Sequence, residues 1–147
     1  IKNNFLKVKI FKNNHGHIEN SHGFKIIYNN KSIVYSGDTT YSKEVVKNAK
    51  NCDILIHEVI ATSKKMRDNN KKLRSVISTH TTISQLSKIL NESNPKLTIL
   101  NHALLFGVSE KFVLNEIKES YDGKVIFSKD MMSVDLGDEI NVFNIGN

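Results

Sequence analysis

Tryptophan is absent from this 147-residue chain, and proline and cysteine occur once each. A lone cysteine, Cys52, excludes an internal disulfide and suits a reducing compartment, so a cytoplasmic location is expected. Cys52 itself reads as a small core residue beside a strand. No apolar run approaches the ~18 residues that would cross a bilayer, and the chain shows no signal-peptide pattern. The motifs G-x-S-x-G, G-x-G-x-x-G and the P-loop are all missing. Their absence removes the nucleophile-elbow and nucleotide-phosphate readings. No repeat or low-complexity linker divides the sequence. Its length is that of a single domain, 1–147, large enough to bury a core.

What the chain does have is lysine, asparagine and a net charge of +6. Such a balance admits an anionic substrate or nucleic acid without requiring one. The densest basic stretch is KKMRDNNKKLR, residues 64–74. It reads either as a solvated loop or helix face, or as a basic lip beside a site that takes an anion. The chain opens on Ile1 rather than Met, which we read as a processed, truncated or partial chain.

Hydrophobic periodicity orders the elements. FLKVKIF (5–11) alternates apolar and basic residues like a half-buried strand. GFKIIYNNKSIVYSGD predicts a hairpin around Asn29-Asn30-Lys31. Residues 42–51 predict a helix with Val45, Val46 and Ala49 on one face. DILIHE (53–58) and KLTILNH (96–102) are unbroken apolar runs, as in buried strands. TISQLSKILNES (82–93) predicts an amphipathic helix stopped by Pro95. A helix over 109–121 follows, capped by Ser109. KVIFSKD and MSVDLGDEINVF close the chain as strands. The result is β-α-β-loop-α-β-α-β flanked by hairpins, a layered α+β domain.

Three predicted strands end in polar chemistry: Asp38, His57-Glu58 and Asn101-His102. Right-handed crossovers would bring these ends to one edge. A carboxylate and several imidazoles at such an edge suit a borderline metal such as zinc. A carboxylate can also bridge two metals ~3.5–4 Å apart that activate water for hydrolysis.

HIENSHGFKI, IVYSGDT, DILIHE, THTT and LTILNHA follow one another in an order that resembles the metallo-β-lactamase superfamily. The likeness is greatest to its ribonuclease Z and arylsulfatase-like branch, over roughly residues 15 to 136. The resemblance implies an αββα sandwich and two Zn2+ per complete site, with Mn or Fe as alternatives. It implies that His17, which lies six residues before Gly23-Phe24, is a ligand of the first metal. His15 and His22 are its competitors. Asp38 corresponds to the bridging aspartate and His102 to the last ligand. His57-Glu58 resembles the His-Glu pair whose glutamate orients another histidine. His80 resembles that partner, placed as a proton donor near the leaving group.

The departures matter as much. The family's main signature, H-x-H-x-D-H, is absent. The chain therefore reads as the C-terminal half of the sandwich, and the face that the other half covers should be exposed. The stretch NHALLFG after the last histidine also departs from the ribonuclease Z pattern, and GKVIFSKDMMSVDL resembles the arylsulfatase-like C-terminus. The expected function is a dinuclear metal-dependent hydrolase of a phosphodiester or other anionic ester, with a tRNA precursor or a small ester as substrate. The 147 residues alone are expected to be inactive. A homodimer is compatible with the family, and no membrane partner is expected. The competing reading is a non-catalytic basic domain or remnant lacking the first metal-binding motif.

Overall fold

The computed structural model describes residues 6–144. A six-stranded sheet forms its centre, in the order β1(Lys7–Lys12), β2(His22–Tyr28), β3(Lys31–Tyr35), β4(Ile54–Thr62), β5(Leu97–Phe106), β6(Val125–Phe127). The first three strands meander antiparallel, and β3 to β6 run parallel. The predicted strand over 5–11 thus begins at Lys7, and Phe5 lies outside the described residues. The β2–β3 turn uses Asn29 and Asn30, both at positive φ (49° and 61°). A two-residue hairpin turn of this hand demands that conformation, and asparagine tolerates it better than most residues.

Five helices form the three crossovers of the parallel half. The first, α1(Lys43–Ala49), joins β3 to β4, and Ser42 caps it by accepting the Val45 amide. α2(Lys64–Asn69), α3(Lys71–Ile77) and α4(Ile83–Ser93) lie between β4 and β5, and α5(Glu110–Lys118) leads to β6. The segment left open in sequence as loop or helix is therefore a pair of short helices, α2 and α3. Thr82 and Gln85 make a reciprocal capping box at the start of α4. That helix ends on Asn94 at φ 51°, just before Pro95. Ser109 caps α5 as expected.

Burial divides the sheet's two faces. On one, Val34, Leu55 and Leu100 of the strands meet Val45 and Ala49 of α1, Leu86, Ile89 and Leu90 of α4, and Val113 and Ile117 of α5. On the other, Ile54, Leu97 and Ile99 are covered by the hairpin β7(Met132–Leu136), β8(Ile140–Asn144), through Val134, Leu136 and Val142. That hairpin does not cover the whole face. Val8 and Ile10 of β1 remain 54% and 60% exposed, and Tyr28 of β2 49%. Val8 pairs with Ile26 and Ile10 with Phe24, so these side chains share one face.

Candidate metal centre

The carboxyl ends of β3, β4 and β5 meet at one edge of the sheet, and the ionisable groups gather there. Beyond β3 the Ser36 amide still bonds the Ile56 carbonyl at 2.9 Å. The chain then turns at Gly37, φ 62°, where a Cβ would come within 2.5 Å of the His22 carbonyl oxygen. Only glycine fits there. The turn presents Asp38, whose own carbonyl accepts from Ser21 Oγ at 2.6 Å. The buried Asn13 side chain donates to the Ser36 carbonyl from below.

A β-bulge places His102. Along β4 and β5, His57 pairs with Leu100 but Val59 pairs with Ala103, so Asn101 and His102 together face the single residue Glu58. His102 takes up the extra residue at φ 46°. A non-glycine residue there costs about 1–2 kcal/mol. The bulge reverses the inward phase, so Leu100 and then Ala103 and Leu105 face the same core. It also turns the imidazole toward Asp38: His102 Nε2 is 3.6 Å from Asp38 Oδ2.

Asp38 has two further neighbours. His15, Asp38 and His80 each offer a ligand atom, and these atoms all lie within 4.8 Å of one another. The His15 and His80 rings meet edge to face with centroids 4.9 Å apart, and the His80 and His102 centroids are 5.7 Å apart. His15 is buried, and its Nδ1 donates to the Thr79 carbonyl at 2.7 Å. His80 is buried too, and its Nδ1 lies 3.1 Å from Glu58 Oε1. In both rings the outer partner occupies Nδ1 and leaves Nε2 as the nitrogen for the site, the arrangement by which metal-binding histidines are commonly oriented. Burial holds the His80 imidazole below its ordinary pKa, and the neighbouring His15 and His102 add to this against Asp38. A set of imidazoles around one carboxylate fits a borderline divalent metal.

Glu58 is the hub beneath this set. It is 2% exposed, and Oε1 accepts from the amides of Thr39 (3.1 Å) and Thr81 (3.0 Å) as well as from His80. One carboxylate oxygen therefore ties the Asp38 turn to the His80 loop. Oε2 is buried with no partner among the described residues. Burial pushes the carboxyl up to about 8, against the pull of the two amides.

The remaining sequence candidates fall differently. His17 is exposed, and it is His15, two residues earlier, that stands beside Asp38 and His80. The spacing of His17 from Gly23 points to the other side of a tight turn. Gly16, φ 59°, reverses the chain between the two histidines, and the Ile18 amide bonds back to the His15 carbonyl at 3.1 Å. His22 is exposed, with Nδ1 against the Asn20 carbonyl. His57 is wholly enclosed and donates from Nδ1 to the Glu58 carbonyl at 2.7 Å, and desolvation lowers its pKa to about 4. It lies behind the site and touches the Glu58 backbone.

A family model described as the beta-lactamase superfamily domain matches residues 2–103. The chain belongs to the metallo-β-lactamase superfamily. It is 28% identical over 107 residues to the ribonuclease Z of Archaeoglobus fulgidus, covering 72% of this chain and 33% of that protein. With the ribonuclease Z of Picrophilus torridus it shares 29% over 115 residues, 78% of this chain and 35% of the other. This chain thus spans about a third of the length of these curated relatives. Among solved structures, the metallo-β-lactamase fold protein YhfI from Bacillus subtilis superposes with a TM-score of 0.64 at 18% identity, over 84% of this chain and 47% of that one. The short form of human tRNase Z superposes at 0.56 and 21% identity, over 85% and 41%. These likenesses establish the superfamily fold. Among the described residues, no helix is long and apolar enough to cross a membrane.

Proposed function

We propose that this chain carries one half of a divalent-metal hydrolase site that cleaves a phosphodiester in RNA. The observation that carries the reading is the grouping of His15, Asp38 and His80 within 4.8 Å, with His102 3.6 Å from Asp38, at the carboxyl edge of a superfamily sheet. In this reading His15, Asp38 and His102 hold metal. A divalent ion bound there would polarise the ester and lower the pKa of water at the site. Zinc suits the donors, and manganese or iron can use the same set. Glu58 fixes the direction of His80 through Nδ1, and an imidazolium there, formed when Nε2 takes a proton from water, would return that proton to the departing oxygen. The relatives named ribonuclease Z and the neighbour named tRNase Z favour an RNA ester over a small aryl or sulfate ester.

Metal uptake by the 147-residue chain tests the ligand assignment. Zinc or manganese binding, followed by titration calorimetry, should be lost in Asp38→Ala and His15→Ala and retained in His17→Ala. Retention in His15→Ala with loss in His17→Ala would restore the other histidine. Uptake indifferent to Asp38→Ala would leave only a basic, non-catalytic domain.

A further inference from the structure

The basic segment 64–74 is not used by the metal site, yet it is built into that site's wall. Both of its ends are anchored at the carboxyl edge. The Ser63 amide bonds the Phe106 carbonyl at 2.9 Å, and a Cβ on Gly107 would meet Ser63 and Met66 at 2.8 and 3.2 Å. At the other end α3 runs directly into Thr79, the partner of His15, and His80, the partner of Glu58. Leu73, 4% exposed, pins the hairpin of helices from inside. The rest of the segment faces solvent, with Lys64, Lys65, Arg67, Lys71, Lys72 and Arg74 against the single acid Asp68. Of these six cations, only Arg67 has an ion-pair partner among the described residues, Asp68 at 3.5 Å. Arg74 instead donates to the carbonyls of Arg67 and Asp68, bracing α3 against α2.

An open groove of about 710 Å³ runs beside this hairpin. Its lining includes Arg67 and Ile77, Thr82 and Lys88 beside and on α4, and Glu116 and Glu119 on and beside α5. Arg67 is the hairpin's cation in that lining, and the other five stand on the exposed surface next to it. Six exposed positive charges against one acid on two braced short helices make a surface complementary to a polyanion. Six Cα-to-Cα steps separate Arg74 from His80, so the chain between cannot exceed ~21 Å. A lone small anion would satisfy one or two of these groups, whereas a chain of phosphates matches the row. The helices are six and seven residues long, with Met66 and Val76 as their exposed large apolar side chains, too little for a membrane-inserted face.

We infer that the α2–α3 hairpin is a phosphate-backbone clamp that holds a single-stranded or looped RNA along the groove and leads it to the Glu58–His80 pair. The inference rests on the hydrolase reading for the destination of the strand, but its binding step needs no metal. Fluorescence anisotropy with a labelled RNA stem-loop, in EDTA, tests it across a salt series. Quadruple substitution of Lys64, Lys65, Lys71 and Lys72 to Gln should weaken binding about tenfold or more. It should also reduce the log–log salt slope by about 3, the share of four phosphate contacts on a single strand. The same four positions as Arg should restore both. Substituting the exposed Lys7, Lys12, Lys124 and Lys129 to Gln should change the slope far less. An equal loss in that control set would show diffuse attraction by net charge and overturn the clamp. So would an unchanged slope, a wild-type chain that ignores RNA, or one that binds phosphatidylserine vesicles in its place. Metal uptake measured on the same variants keeps the two readings apart: a failed clamp with intact uptake leaves the hydrolase site standing.

Discussion

Removing the Glu58 side chain should damage the fold before it damages any chemistry. In Glu58→Ala the amides of Thr39 and Thr81, both on residues with no exposure, lose their acceptor, and so does His80 Nδ1. A buried donor left unpaired costs about 1–3 kcal/mol. Two amides alone therefore cost about 2–6 kcal/mol, a large part of a typical domain's stability. At roughly 2–4 °C per kcal/mol for a chain near this size, the midpoint should fall by about 10 °C. Glu58→Gln keeps an acceptor at Oε1 and should lose far less. The two variants also differ in pH response. Glu58, raised to about 8 in the folded state, takes up its proton there before the unfolded chain does, so it adds stability as pH falls from 8 toward 4.5. His57, lowered to about 4, has the opposite sense: the unfolded chain takes up its proton first, so stability is lost as pH falls below 6.5. Between pH 6.5 and 5 each contributes about 2 kcal/mol, and the two nearly cancel. In EDTA, the Glu58 and His57 contributions should offset each other in urea unfolding of the wild type over that window, leaving the loss that His80, also held low by burial, brings as pH falls. Glu58→Gln should lose about 2 kcal/mol more than the wild type across it, because the His57 contribution is no longer offset. Identical pH profiles for wild type and Glu58→Gln would refute the buried-carboxyl account.

The strained bulge makes a second expectation: His102→Gly should be more stable than His102→Ala by about 1 kcal/mol in urea, since glycine adopts φ 46° freely and alanine does not. Asp53 offers a third. Burial works to raise its carboxyl, but Lys96 at 2.8 Å and the Ser32 amide outweigh it and hold it below the usual range. Its contribution is complete above the unfolded carboxylate pKa and is lost as pH falls through the lower folded value, so Asp53→Asn should flatten the acid limb of the stability curve. For the bare sheet face, Val8→Thr with Ile10→Thr should reduce self-association in light scattering while leaving the thermal midpoint within a few degrees. An aggregation tendency that is unchanged would place the sticky surface elsewhere.

The sequence made the parallel core legible because its strands are short unbroken apolar runs and its helices carry caps. DILIHE and KLTILNH were placed correctly, yet both strands run four residues further, to Thr62 and Phe106. The reason lies at the bulge. Asn101 and His102 interrupt the alternation, and a period-2 pattern that slips by one residue reads as a strand end. The hairpin β7–β8 was merged into one strand for a related reason. Its turn, Gly137-Asp138-Glu139, separates two halves that each alternate weakly against a shared face. Asp38 and His102 were read at the ends of predicted strands, where topology dictates convergence, and His80 from its place in THTT before a helix. His15 entered only as a competitor of His17, because the position of a loop residue is set by the turn that carries it rather than by any periodicity.

Donor counting connects the site to the bare face. A closed zinc site takes four protein ligands, and a catalytic one takes three and leaves a position open. His15, Asp38 and His102, with His80 behind them, are enough for one such ion but not for two that share a bridging carboxylate. Asp38 and His102 also keep side-chain exposures of 40% and 45%, although Glu58 beneath them is almost fully enclosed. The supporting groups are finished and the ligating groups are not. The same is true of the sheet, where the helix-covered face is closed and the β1–β2 end of the other is open. Both shortfalls are of the kind that the H-x-H-x-D-H half of the fold would fill, bringing ligands and apolar cover together. On this account one ion per chain is the ceiling for residues 1–147 alone. A second ion should bind only when a polypeptide bearing that motif is added, and its arrival should coincide with protection of Val8 and Ile10 from solvent.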